Sequence, residues 1–438
     1  MNLKFEHINF YVTEIGIMAL FAVSFFVFYD FNIRMIFGYM ILLLCILLKC
    51  SMERRFVLTK EKMIFSFLVA MISAFIIIGN SGNGTLEYAI AMDLCAVITV
   101  LYIPREKQYI NAFKFIVYGS LAFSIYSILS FLVPSVYINL VRPHLSLGAV
   151  EYNDAILKEG YGVALGANVA FIDYIVSLAI IFSLSCYINN YRIFKNSIIQ
   201  MLFAVIGLAG MLCVNRKGEL LALIISVLTI FIIHMKHSNK TEKRLIRRKL
   251  ICFLPIVILG VSYLASKGYL ARFTIFFKRI SRILGNEHVD ITSGRVYIWK
   301  YAIELFMQHP IFGIGWEQFK MVAPEYDLDT VKVHNNFLQV LCETGVVGFC
   351  LIIIPMTMLL MVTFIKTDKC IRMNKSAEIA KVSYMISLGV QVYFFVLDFI
   401  DPCIYKMHFW IVYSIGIMSL IGACYNDSSM KKVVVKGC

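Results

Sequence analysis

Apolar runs of the roughly 20 residues that a spanning helix needs recur along most of this chain. They lack the alternation of inward and outward residues that a membrane β-barrel requires. A chain built this way has one solution, a bundle of helices in lipid, because only a helix satisfies its own backbone there. Composition agrees. Apolar residues make up 60% and charged residues 16%, against about 25% charged in soluble domains, and the mean hydropathy is +0.80.

About twelve spans are predicted, near 10–29, 33–49, 63–79, 87–104, 114–138, 163–188, 198–214, 218–235, 250–266, 345–365, 382–399 and 405–424. Pro104 and Pro134 mark ends. The first run follows a short leader and lacks a small-residue cleavage site, so it reads as a retained span. With the N-terminus inside, the inner segments carry 26 Lys and Arg and the short outer ones carry 6. That asymmetry obeys the positive-inside rule and puts both termini in the cytoplasm. It also accounts for the net charge of +14, strongest over 236–249, without nucleic acid. The twelve cysteines form no CxxC pair and read as small apolar residues, not as metal ligands or disulfides.

The expected organisation is therefore spans over 1–266, one long outer loop over 267–335, and three further spans over 336–438. A shorter outer segment, Val141 to Gly162, carries His144, Glu151, Asp154, Lys158 and Glu159. The long loop opens with a basic amphipathic stretch containing Phe273, Phe276, Phe277, Ile280 and Leu284, suited to the outer interface. A helix then follows from a cap at Thr292-Ser293 to about Gln308. Its Val296, Trp299, Ile303 and Phe306 recur at helical spacing and are expected to pack onto the membrane domain. His309-Pro310 ends it, Gly313 and Gly315 turn the chain, and a polar bend over 324–333 leads to His334.

Charges within or beside spans are costly and are candidates for function. Asp93 and Asp173 sit inside spans, where each suits either a helix–helix hydrogen bond or a transport role. Arg216 and Lys217 occupy an outer turn too short to leave the membrane, and two cations there call for an anion. A phosphate fits the planar guanidinium fork, with snorkelling to lipid headgroups as the alternative. Arg295 opens the loop helix, whose N–H groups favour the same anion. His334 suits a general base near neutral pH, or a simple helix cap. Asn335 can orient a sugar or the imidazole, and Glu343 can hydrogen-bond back to the loop. No metal-binding spacing is present, so no metal or other cofactor is expected.

Four motifs stand in order: Asn215-Arg216-Lys217-Gly218-Glu219, Gly294-Arg295-Val296-Tyr297, Pro310-Ile311-Phe312-Gly313-Ile314-Gly315, and His334-Asn335-Asn336-Phe337-Leu338 followed by Glu343-Thr344-Gly345-Val346-Val347-Gly348. Together they resemble the O-antigen ligase/polymerase superfamily of bacterial envelope polysaccharide proteins. Asn215 departs from the more usual serine, and Lys217 is a second departure. The resemblance implies a metal-independent, GT-C-like, all-helical glycosyltransferase facing outward from the bacterial cytoplasmic membrane. Its donor would be a glycan on undecaprenyl pyrophosphate, and its acceptor a hydroxyl of another lipid-linked repeat unit or of lipid A-core. Arg216 and Arg295 would hold the pyrophosphate and His334 would handle the acceptor hydroxyl, with inversion at the anomeric carbon. Lys217, Asn335, Glu343, Gly313 and Gly315 would line the substrate. A flippase and a chain-length regulator of the same pathway are the implied partners. A polymerase is the first reading, a ligase the second, and a flippase or secondary transporter the alternative from another class.

Overall fold

The computed structural model describes residues 59–79, 85–101, 106–145, 147–163, 169–194, 197–214, 216–241, 243–244, 262, 295–323, 332–373 and 378–426. The expected spans at 10–29, 33–49 and 250–266 lie outside these residues. So do the amphipathic stretch after 267, Thr292-Ser293, Gly294, Asn215 and the bend at 324–331. The described residues are helical, without strands.

Among the described residues, seven α-helices precede the long loop: α1 (Lys60–Gly79), α2 (Thr85–Leu101), α3 (Glu106–Leu132), α4 (Leu147–Lys158), α5 (Val169–Ile188), α6 (Ser197–Val214) and α7 (Lys217–His237). The loop contributes α8 (Arg295–Gln308) and the single turn α9 (Phe319–Val322). After it come α10 (Asn336–Met373), α11 (Glu378–Leu397) and α12 (Met407–Asn426). The α1, α7, α10 and α11 helices and residues Phe113–Leu132 of α3 are long and apolar enough to cross a membrane. Shorter apolar helices within α2, α5, α6 and α12 fall at four further expected spans. The chain is thus a helical membrane protein.

The α11 helix is the axis of the bundle. It packs against α5, α7, α10 and α12, and 78% of its most apolar window is buried, against 33–39% in the other four long helices. Small and hydroxyl residues allow that crowding. A side chain at Gly389 would run into Ile181 and Ile230, and Ser226 Oγ donates to the Gly389 carbonyl at 2.7 Å. Gln391 Nε2 reaches Thr363 Oγ1 at 2.7 Å. Interhelical bonds of this kind contribute only about 0.6 kcal/mol each in membranes. Dense apolar packing therefore carries more of the stability, and the polar bonds fix rotation.

One end of the bundle is tied by ion pairs, Glu61 to Lys366 at 2.6 Å and Lys236 to Asp368 at 3.0 Å. The other end carries the 137–163 segment, Arg216, the loop helices and the turn from Asp398 to Lys406. In the shorter outer segment α4 is held by the Arg142–Asp154 pair at 3.0 Å and by Tyr137 Oη to Asp154 at 2.9 Å. Gly162 N then donates to Cys213 O at 3.0 Å, pinning this segment beside the end of α6.

Candidate active site

The glycine turn of the loop and a break in α10 are two halves of one joint. Helix α10 departs from helical geometry at Gly345, where φ is +64°. A break frees backbone groups that must find partners in a buried place. The loop supplies them. Ile314 N and Gly315 N donate to the carbonyls of Cys342 and Glu343 at 3.0 and 2.8 Å. In return Val346 N and Val347 N donate to Pro310 O and Ile311 O at 2.9 and 3.2 Å. The approach is too close for side chains. A Cβ at Gly313 would strike the Glu343 carbonyl group, and one at Gly345 the Ile311 carbonyl. Gly315, at φ +106°, lies against the Gly79 carbonyl.

Glu343 completes the joint. Fully buried, its carboxylate accepts Glu317 N at 2.8 Å, Phe319 N at 3.3 Å and Gln339 Nε2 at 3.3 Å. It does hydrogen-bond back to the loop. Its oxygens are thereby engaged with backbone and Gln339, and Gly313 and Gly315 act through backbone geometry. These three residues hold the loop in place.

Helix α8 packs on the same joint. Tyr301, Ala302 and Leu305 are buried with Phe319, Val333 and Cys342, and Ile298, Trp299 and Phe306 pack against them. The expected stripe of Val296, Trp299, Ile303 and Phe306 is therefore corrected. Trp299 and Phe306 face the core, whereas Val296 and Ile303 are exposed. Trp299 Nε1 donates to Val333 O at 3.1 Å, so the aromatic helix grips the residue before His334.

His334 itself has a positive φ of 56°, a left-handed conformation that few non-glycine residues adopt. Such strain, of order 1–3 kcal/mol, persists where the surroundings enforce it. They do so here. Asn335 caps α10, its Oδ1 accepting Leu338 N at 3.0 Å. Asn336 N donates to Asp398 O at 2.7 Å, and Asn335 Nδ2 lies 3.5 Å from Phe399 O. Arg295 Nη1 donates to the next carbonyl, Ile400 O, at 3.3 Å. The side chain of Ile400 in turn abuts Gly218, two residues past Arg216. The turn after α11 thus gathers all three expected catalytic residues at one end of the bundle.

The charges of that turn matter as much as its carbonyls. Burial raises the Asp401 carboxyl, but the charges of Lys406, Arg216 and Lys332 outweigh it and hold it below its usual range. Asp401 is ion-paired with Lys406. Burial, reinforced by the charge of Lys406, depresses the Lys332 amine. His334 is lowered by burial first, then by Arg295, with Asp401 pulling the other way. The imidazole is accordingly neutral at pH 7, with a lone pair to accept a proton.

Arg216 differs from the expectation. The two cations at 216–217 were expected to need an outside anion, but Arg216 has protein carboxylates. Its Nε and Nη2 both donate to Glu219 Oε1, at 2.9 and 2.6 Å, and Asp173 Oδ2 lies 3.8 Å away. The pairing satisfies the buried Glu219 at i,i+3 and draws on a second helix through Asp173. Asp93 accepts Ser73 Oγ at 2.8 Å, a helix–helix hydrogen bond. Arg295, by contrast, has no carboxylate partner among the described residues. Lys217 opens α7 as an exposed residue. Asp401, Lys406 and Lys332 were not singled out from the sequence. The signal was present: Asp398, Asp401 and Lys406 crowd a short outer turn in a protein that spends few charges on such turns.

Residues 202–353 match a family model described as O-antigen ligase. The match runs from α6 through Arg216, Arg295, the glycine turn and His334 to the break in α10. No curated protein matches the chain in a sequence search.

Proposed function

We propose, from the match of residues 202–353 to the O-antigen ligase family model, that the chain is a member of the O-antigen ligase/polymerase superfamily and polymerises lipid-linked oligosaccharide repeat units. The donor is a glycan on undecaprenyl pyrophosphate, and the acceptor is a sugar hydroxyl of a second unit. The hydroxyl oxygen attacks the anomeric carbon, the bond from that carbon to the phosphate oxygen breaks, and the lipid pyrophosphate leaves with the electron pair. His334 takes the hydroxyl proton. Arg295, with Arg216 beyond it, stabilises the charge that develops on the leaving oxygen, a role in which fixed donors are most effective. Lys217 and Asn335 lie beside these groups as substrate contacts. The reaction faces the outer side of the cytoplasmic membrane, with both termini inside, and proceeds without a metal.

The convergence of Arg295, Asn335 and Asn336 on the carbonyls of Ile400, Phe399 and Asp398, with His334 next in the chain, carries this reading. It supports chemistry at a fixed centre. The partners of Asp93 and Asp173 within the bundle favour a structural role for them over the transport reading. The ligase reading keeps the same centre and changes only the acceptor.

The deciding experiment supplies purified protein with undecaprenyl-pyrophosphate repeat units, with and without lipid A-core, in the presence of EDTA. A ladder of extended glycans without core is expected. Transfer only when core is present would select the ligase, and inhibition by EDTA that Mg²⁺ reverses would refute the metal-free mechanism.

A further inference from the structure

The α8 helix has three faces. One, around Tyr301, Ala302 and Leu305, is buried in the joint. The exposed remainder divides sharply by chemistry. Lys300, Glu304 and Gln308, four residues apart, form a polar strip. Beside it Ile303 and Met307, also four apart, form an apolar strip that is 46% and 70% exposed. The strip continues beyond the helix into Ile311 and Phe312, 60% and 69% exposed. A monomer in water rarely leaves contiguous large apolar groups so open.

The position of this strip identifies what covers it. Ile311 and Phe312 are joined to α10 at Val346 and Val347 by the backbone bonds of the joint. Exposed residues on α10 include Val346, Val347, Ile354, Met358, Met361 and Ile365. Their spacing makes one apolar stripe running down a membrane-spanning helix. It faces the hydrocarbon that surrounds a span, and Phe312, Ile311, Met307 and Ile303 extend the apolar surface from its end. The depth agrees from a second side. Gln318 Nε2 bonds the carbonyl of Gly79, the last residue of the spanning helix α1, at 3.3 Å. The turn is level with the outermost turns of two spans.

We infer that α8 and the turn after it lie within the adjoining leaflet, with Ile303, Met307, Ile311 and Phe312 immersed in phospholipid hydrocarbon. The polar strip then meets the headgroups, and Arg295 at the start of the same helix is held near the membrane–water boundary. The loop is in this respect a membrane-inserted element, not a domain standing in water.

A photoreactive diazirine amino acid placed singly at Met307, Phe312, Glu304 and Met361 of the full-length protein tests this. The variants are reconstituted in phosphatidylethanolamine–phosphatidylglycerol vesicles, irradiated and analysed by mass spectrometry. All four side chains are at the surface, so folding is undisturbed. Lipid adducts are expected at 307 and 312 as at the spanning position 361, with water adducts dominating at 304. Water adducts at 307 and 312 would overturn the inference. So would crosslinks there to a second copy of the chain. Neither outcome bears on the transferase reading, which is tested by glycan synthesis.

Discussion

The Arg295 guanidinium bonds the carbonyl oxygen of Ile400 across a sequence separation of 105 residues. That bond and the one from Asn336 N to Asp398 O tie Arg295 and the head of α10 to the tip of the central helix. The candidate centre is therefore built at the end of a largely buried helix, as a precise site requires.

Arg295 opens α8 beside His334, where the proposed reaction places a leaving pyrophosphate. Arg295→Ala is expected to lower kcat/KM by about 10²-fold or more, the usual effect of losing one fixed donor. The melting temperature should change little, since the lost bond is a single half-exposed one. Glycan ladders and thermal unfolding of the same purified sample check both parts.

Arg216 should behave oppositely in stability. Its removal leaves Glu219 and Asp173 buried without their cation, and breaking such a pair costs about 3 kcal/mol. Arg216→Ala is expected to melt well below the parent, and Arg216→Ala with Glu219→Gln to recover part of the loss. Equal melting of the Arg216→Ala and Arg295→Ala proteins would contradict the assignment.

The pH profile follows from His334. Burial and the Arg295 charge lower its pKa below the ordinary value of 6.5, so the neutral base persists as pH falls and is lost only on protonation below that value. The acid limb of kcat/KM should lie below pH 6.5. Residual activity of Arg295→Gln should show that limb moved to higher pH, because one of the charges opposing protonation is gone. The same sign holds for folding: the unfolded chain takes up the proton first, so this group's contribution to stability falls as pH drops through 6.5. An acid limb unmoved in Arg295→Gln would separate the two residues.

Gly345 has a left-handed φ and no space for a Cβ beside the Ile311 carbonyl. Gly345→Ala must both strain the backbone, at about 1–3 kcal/mol, and push the loop out of the break in α10. A large drop in melting temperature with loss of activity is expected. Gly148→Ala is the control, since nothing surrounds that glycine within 4 Å.

Much of this arrangement was legible before any coordinates. Apolar runs located the helices found at the described spans, and the end of α8 at Gln308 followed from His309-Pro310. What escaped was carried by groups without a sequence signature. The carbonyls of Asp398, Phe399 and Ile400 are acceptors whatever their side chains. The Gly313-Gly315 turn and the glycine at the start of the expected span 345–365 gave no sign of each other, because complementarity between a loop and a broken helix is a relation in space. Asp173 read as a lone charge because its cation lies at the head of another helix. The stripe on α8 was misassigned for a further reason. Helical periodicity reports an apolar arc, and in a membrane protein such an arc can face either core or lipid.

The suspension of the loop from α11 makes the centre vulnerable from inside the membrane. A slip of α11 by one helical turn, about 5.4 Å, would withdraw all three carbonyls and detach Arg295 and the head of α10 together. A bulkier residue at Gly389, where a side chain would run into Ile181 and Ile230, would thus disturb the centre without touching substrate.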